Sequence, residues 1–227
     1  MQDVVAASRK SSLLKLLKPP SPSLNLRNRY LLNLAKQLRE DESRLLDIGS
    51  GGRKLIPEAI NMDIERFENV NIVGDATRMP FKGNSFDFVV ISAVLEHVEK
   101  PGLVVEEISR ILTPGGGVYV ENPFLQPFHA DPNDFQRYTI NGLMKLFDGF
   151  KVEDNGVCVG PCSAVAFFLR KLATVYITNG HLSKAVEYVV AYFTFWIKYF
   201  DLLFWPAKRL HIVASGLYVV LRKPSAD

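Results

Sequence analysis

Leu45–Lys54 reads LLDIGSGGRK, and the fold turns on how that stretch is read. A short apolar strand reaches Asp47 and then runs into Gly49-Ser50-Gly51-Gly52. Glycines in such a turn admit positive φ and let the backbone pass beneath a ligand where a Cβ would collide. They also leave N–H groups facing outward, which suits an anionic or polar ligand. A dinucleotide site asks for GxGxxG, but Lys54 occupies the third glycine position, and the phosphate-binding pattern GxxxxGK[ST] is absent. The other reading of the cluster is a tight strand-to-helix turn with no ligand.

Outward from this turn the chain alternates. Short β-like runs occur at Arg44–Ile48, Ala59–Ile64, Val70–Gly74, Phe86–Ile91, Gly117–Val120, Lys151–Val159 and Gly216–Arg222. Helical patterns fall at Asn28–Leu38, at Val94–Leu112 and at Thr139–Phe147, where Thr139 is the N-cap candidate. The second of these stops at Thr113-Pro114-Gly115. Strands separated by helices predict an α/β fold, a doubly wound and mostly parallel seven-stranded sheet with ligand sites beyond the strand C-termini. The domain reading is a basic arm and linker over 1–27 and one domain over 28–227. That domain carries an acceptor-side loop at 121–139 and an aromatic-rich helical insertion at 163–208, before the last strand.

Two further acids sit at strand ends. Asp63, in NMDIE, lies fourteen positions after Gly49, and Asp75 follows Gly74 at the end of the third run. A carboxylate at the second strand tip accepts both hydroxyl protons of a ribose and disfavours a 2′-phosphate. Asp75 is suited to accept an amine proton from an adenine. Each acid alone also reads as a helix N-cap, but three successive strands ending in Asp form one constellation.

Composition excludes several classes. The 227 residues are 48% hydrophobic and 22% charged, which excludes general disorder. Two cysteines, Cys158 and Cys162, with no companion Cys or His cluster, exclude a disulfide scaffold and disfavour zinc. The net charge of +3 does not call for nucleic acid. Its distribution is uneven, since residues 1–44 hold nine Lys/Arg against four acids. Within them Ser8–Lys18, SRKSSLLKLLK, is basic and amphipathic, and Pro19-Pro20 ends it. It lacks the apolar run of a secretory signal, and reads as a surface arm or anchor helix, with a transit peptide as the other reading. The expected location is cytoplasmic, with association at the inner membrane face as an open alternative.

Four motifs in order carry a family resemblance: LLDIGSGG (45–52), NMDIE (61–65), GDATRMPFKGNSFDFVVISAVLEHVEKP (74–101) and RILTPGGGVYVENPF (110–124). With these the sequence resembles class I S-adenosylmethionine-dependent methyltransferases, of the methyltransferase type 11 kind, over Arg44–Phe150 and the last strand. The resemblance implies S-adenosylmethionine as cofactor. It implies that Asp47, Gly49 and Gly51 line its methionine end, that Asp63 binds the ribose, and that Asp75 and Ala76 flank the adenine. Ser92 and Ala93 should approach the sulfonium, and Leu112–Gly116 should form the turn into the fifth strand. One departure stands out. Only six residues separate Gly52 from Ala59, and a parallel crossover usually takes about a dozen or more. The first helix is therefore expected to shrink to a turn or loop, leaving Arg53 or Lys54 to hold the cofactor carboxylate, or to be solvated.

PFHADPNDFQRYT (127–139) resembles an insertion over the active site of some type 11 members, and gathers His129, Asp131, Asp134, Arg137 and Tyr138. Methyl transfer from a sulfonium requires no metal, and alignment supplies most of the rate. A base is needed only when the acceptor must lose a proton, and His129 titrates in the useful range. His129 and Tyr138 are the acceptor-side candidates. The alternative is an ordered loop in which Asp131 pairs with Arg137 and Asp134 caps. His97 reads as structural or cofactor-adjacent.

Ser183–Trp205 reads as one helix of about 33 Å from Lys184 onward. Lys184, Glu187, Thr194, Lys198 and Asp201 make a narrow polar stripe on it, and nine aromatics crowd the rest. The stripe argues against a bilayer span. Three readings stay open: packing over the sheet edge, a homodimer interface, or lying in a membrane interface together with 8–18. The expected activity is methyl transfer to a small or amphiphilic acceptor, with a lipid, a quinone and a lipid-linked glycan among the classes. The rival is a catalytically inactive binding module on the same fold. A nicotinamide enzyme is disfavoured by Lys54.

Overall fold

The computed structural model describes residues 19–53, 56–57, 59–130, 132–205 and 207–225. The basic stretch 8–18 and Lys54 therefore lie outside the described residues, as does Asp131. Seven strands form one sheet: β1 (Leu45–Ile48), β2 (Ile60–Asp63), β3 (Ile72–Val73), β4 (Phe86–Ser92), β5 (Leu112–Pro123), β6 (Lys151–Val159) and β7 (Gly216–Arg222). Their order is β3-β2-β1-β4-β5-β7-β6. All neighbours are parallel except β7, which runs antiparallel between β5 and β6. The chain leaves β1 toward β2 on one side and returns to β4 on the other. That reversal opens a crevice at the carboxyl ends of β1 and β4.

Alternation along the strands builds two cores. Leu46, Ile48, Val89, Ile91, Val118, Val120, Val219 and Leu221 point to one face. Helix α2 (Pro101–Ile111) covers it with Val104, Ile108 and Ile111, and α3 (Ile140–Leu146) adds Leu143. Leu45, Phe88, Val90, Tyr119, Tyr218 and Val220 point the other way. There α1 (Asn28–Glu40), which precedes the sheet in sequence, packs with Leu31, Leu34 and Leu38. Ile56 and Ala59 of the short β1–β2 crossover complete this second core. No helix forms in that crossover among the described residues, as its length predicts.

Several elements differ from their expected form. The single helix expected over Val94–Leu112 is divided into a 3-10 turn, Leu95–His97, and α2. Pro101 is the cause, because it starts a helix well but pushes the preceding residue out of the helical region, and Lys100 sits at φ −122°, ψ 72°. Leu112–Gly116 belongs to β5 rather than to a free turn, since Leu112 pairs with Phe86 before a register shift. Thr139 does cap α3, its hydroxyl accepting the Gly142 N–H at 3.1 Å.

The insertion between β6 and β7 forms a helical hood. It comprises α4 (Pro161–Leu172), α5 (Gly180–Thr194), a 3-10 segment (Phe195–Phe200) and α6 (Asp201–Phe204). The long helix expected at 183–205 is thus tightened midway. No described helix is long and apolar enough to cross a membrane. The described part of the arm and linker expected over 1–27 reaches the sheet end. Asn25 bridges Val159, and the Arg27 guanidinium sits over the rings of Tyr30 and Tyr218 and pairs with Asp154.

Candidate active site

A cleft of about 650 Å³ opens beyond the carboxyl ends of β1, β2 and β4. Its floor is the glycine turn. Gly49 has φ +69°, and a Cβ there would stand 2.1 Å from the Val94 side chain, so the turn and the chain after β4 touch directly. Gly51 has φ +55°, and a Cβ there would enter open space. The Gly51 N–H donates to one carboxylate oxygen of Asp63 at 2.7 Å, and the Glu65 N–H donates to the other at 2.9 Å. Asp63 therefore ties the glycine turn to the tip of β2 and is held in one orientation at the cleft wall. Asp75 is ordered differently. One of its oxygens accepts both the N–H and the hydroxyl of Thr77, each at 2.8 Å, as in an N-cap turn.

Of the residues expected at the cofactor, Gly49, Gly51, Asp63, Asp75, Ala76 and Ala93 line this cleft. Ala93 does so with φ +56°, an uncommon backbone state for a residue with a Cβ. Asp47 and Ser92 are not on the lining. Asp47 is buried behind the turn, and burial pushes its carboxyl up to about 7, against the lowering effect of Arg53 and with help from Asp63 and Glu121. Ser92 faces the other core and donates to Glu121 at 2.9 Å.

Glu121 is a residue whose role the sequence did not single out. It is buried, and accepts from Ser92, from the Asn25 amide at 3.0 Å and from the Tyr119 hydroxyl at 2.5 Å. An acid inside the apolar run GVYVEN was the available signal.

Across the cleft stand His97 and His129, their rings edge to face at 5.1 Å. Below them Glu96 is fully buried, with neither carboxylate oxygen hydrogen-bonded and His97 Nε2 at 3.6 Å. Burial pushes its carboxyl well above the usual range. These three residues bring ligand atoms within 4.8 Å of one another, so among the described residues they are a set able to hold a metal ion.

The His129 imidazole is held below its ordinary pKa, chiefly by burial and then by His97, with Asp134 opposing. It is therefore neutral near pH 7 and able to accept a proton. Its loop is pinned by Asp134, which accepts the His129 N–H at 2.9 Å and forms a two-pronged pair with Arg137. That pairing lowers the Asp134 carboxyl to about 2. Arg137 thus pairs with Asp134, and Asp134 serves the loop rather than a reactant. Tyr138, the second acceptor-side candidate, packs partly buried against the core below α2 and is not on the cleft lining.

The family model described as a methyltransferase domain matches residues 46–120, about a third of the chain. The ubiquinone/menaquinone biosynthesis C-methyltransferase UbiE of Ruegeria sp. (strain TM1040) is 38% identical over 77 residues, 34% of this chain and 26% of that protein. The demethylmenaquinone methyltransferase of Renibacterium salmoninarum is 43% identical over 62 residues, 26% of each chain. The matched stretch thus spans about a quarter of the length of these curated relatives.

Among solved structures, the [4+2]-cyclase SpnF superposes with a TM-score of 0.54 at 17% identity, over 86% of this chain and 81% of that one. Coclaurine N-methyltransferase bound to N-methylheliamine and SAH gives 0.50 at 13% identity, over 86% and 72%. At these identities the likeness is one of fold, the Rossmann-like methyltransferase fold. The cyclase carries that fold under another reaction name.

The methyltransferase-domain match implies S-adenosylmethionine as the cofactor, and the residues present fit it. Open space above Gly51 leaves the backbone bare where a cofactor must approach. Each Asp63 oxygen, engaged once, keeps acceptor capacity for a hydroxyl, and Asp75 keeps one oxygen outside its turn.

Proposed function

We propose, from a methyltransferase domain at residues 46–120 on a class I fold, that this chain transfers a methyl group from S-adenosylmethionine to an amphiphilic acceptor entering beside His129. The observation that carries the reading is a single cleft, at the strand-order reversal, lined by Gly51, Asp63 and Asp75 at one side and by His97 and His129 at the other. S-adenosylmethionine bound there supplies a methyl group already activated by a sulfonium.

The chain's own residues then have three tasks. Asp63, fixed by two backbone donors, orients the ribose. Ala93 and the glycine turn hold backbone close to the reacting end. His129, neutral and aimed into the cleft by Asp134 and Arg137, takes the proton that an acceptor hydroxyl or amine releases at Nε2 or Nδ1. Alignment of acceptor and methyl group supplies most of the acceleration, and a positioned base adds about 100-fold or more. The acceptor class draws support from the relatives named for ubiquinone/menaquinone biosynthesis and from the apolar hood on the same rim.

Calorimetry with the cofactor tests the first part. Asp63→Ala is expected to weaken binding about 100-fold, the loss of a pair of charge-assisted hydrogen bonds. Unchanged affinity would remove the ribose assignment. Transfer of a labelled methyl group into the lipid fraction of an extract tests the second part. The helix-free β1–β2 crossover favours one rival, a binding module without catalysis, and that rival gains if the purified chain binds no S-adenosylmethionine at millimolar concentration.

A further inference from the structure

The helical hood is built with its polarity reversed. Its interior holds Arg170, Lys198, Asp201 and Ser163, all buried, with Asp201 at 0% and Lys198 at 8% exposure. Asp201 accepts the Cys162 and Ser163 N–H groups at 2.7 and 3.2 Å and the Ser163 hydroxyl at 2.6 Å, satisfying the first turn of α4 from outside. Its outer surface carries Phe193 at 74%, Leu203 at 73% and Tyr176 at 97% exposure. Phe193, Trp196, Phe200 and Leu203 recur every three or four residues, on the side away from Ala191, Lys198 and Asp201. A water-facing helix pair has the opposite arrangement, and exposed apolar surface on this scale marks an interaction site.

We propose that this outer face docks on an anionic lipid bilayer, lying in its interface rather than crossing it. Two observations select that occupant. The apolar face is rich in Trp, Tyr and Phe, the residues that settle at headgroup depth.

Charge is the second. Residues 160–215 hold six Lys/Arg against two acids, while the whole chain is only +3, so the hood is cationic and the sheet-bearing remainder acidic. Asp201, one of the two acids, is buried, and Glu187, the other, is paired with Lys171, leaving Lys184, Lys208 and Arg209 exposed. Basic groups flanking an apolar face attract it to anionic lipid.

The two buried cations are satisfied inside the hood, where the carbonyls of Pro20 and Ser21 accept from Arg170 at 3.1 Å and from Lys198 at 2.9 Å.

The docking also orients the cleft. Strand β6 runs parallel to β4 and β5, so α4 leaves the sheet at the rim where the cleft opens. Segment 24–25 spans that rim, its Leu24 N–H bonded to Ser163 and its Asn25 amide to Glu121. This deepens the amphiphilic-acceptor reading and rests on it for its purpose, though the docking itself stands on the hood alone.

The experiment is flotation of the full chain with phosphatidylcholine vesicles, with and without phosphatidylglycerol. Binding is expected to the anionic vesicles and to fall tenfold or more in the double variant Phe193→Glu/Leu203→Glu. Lys184→Glu/Lys208→Glu should lower it about fivefold per charge on anionic vesicles only. Thermal unfolding checks that the variants fold. No flotation of the wild type, or undiminished flotation of the double variant, overturns the proposal. So does a stable dimer that the double variant dissolves, since that assigns the face to a second copy. Flotation without cofactor binding would sink the methyl-transfer reading and leave the docking in place.

Discussion

The cleft-bearing sheet and the helical hood bury their residues by opposite rules. Around the sheet, apolar side chains alternate into two cores, and the charges of Asp63 and Asp75 stay at the strand tips. In the hood, Asp201, Lys198 and Arg170 lie inside, and Phe193, Trp196 and Leu203 lie outside. A protein surface in water gains nothing from that inversion, because each exposed large side chain forgoes about 1.5–3 kcal/mol of burial. The inner polar groups keep their cost low by pairing with backbone, Asp201 with the start of α4 and Lys198 with Ser21. The contrast teaches that the sheet half buries its apolar side chains within the chain, while the hood turns its own outward, onto the face that the docking proposal assigns to lipid.

Mutations can break or sharpen that contrast. The largest effect is expected in the cleft. His129→Ala should lower kcat by about 100-fold or more with cofactor affinity preserved, measured by labelled-methyl transfer. The acid limb of the wild-type kcat profile should fall below pH 6.5, since His129 is held below that ordinary value. A loss confined to KM would instead make His129 a binding residue.

A pH experiment comes next. The folded Asp47 carboxyl stands near 7 against 3.8 unfolded, so its contribution to stability is present below about pH 4 and is lost as pH rises through 7. Asp47→Asn should therefore gain stability over the wild type between pH 5 and pH 8, by about 2–4 kcal/mol, read from urea unfolding at each pH. A constant difference across that range would mean the Asp47 charge is relieved by another route.

The smallest effect is the most telling for the hood. Asp201→Ala should cost about 2 kcal/mol, since it strands the donors of Cys162 and Ser163, whereas Phe193→Ser should change unfolding by less than about 0.5 kcal/mol. The reverse ranking would show that the aromatic face is packed in the free chain.

Much of the site was legible without coordinates because it follows from local rules. Glycines that need positive φ, acids at strand ends and a threonine N-cap are each decided within a few residues. Gly49, Gly51, Asp63 and Thr139 are accordingly found in the geometry their neighbours dictate. Ser92 and Tyr138 were not legible in the same way. Each has a local environment compatible with either face, and packing sends Ser92 to Glu121 and Tyr138 to the core. Glu96 escaped notice because its burial without partners depends on the 127–139 loop closing over it. The loop's Phe135 N–H binds the Glu96 carbonyl, and its Gln136 amide binds the carbonyls of Leu95 and Val98.

The amino-acid order by itself determined the α/β alternation, the presence and order of the seven strands, the lack of room for a first crossover helix, and the acids Asp63 and Asp75 at the strand ends, because periodicity, turn chemistry and loop length are short-range properties. Only the tertiary structure decided which side of the aromatic helix faces inward. A stripe of charges and a stripe of aromatics are equally visible in sequence. The choice between them was made by distant partners, the first turn of α4 and the carbonyls of Pro20 and Ser21, which needed charged groups to satisfy them and so turned the aromatics out.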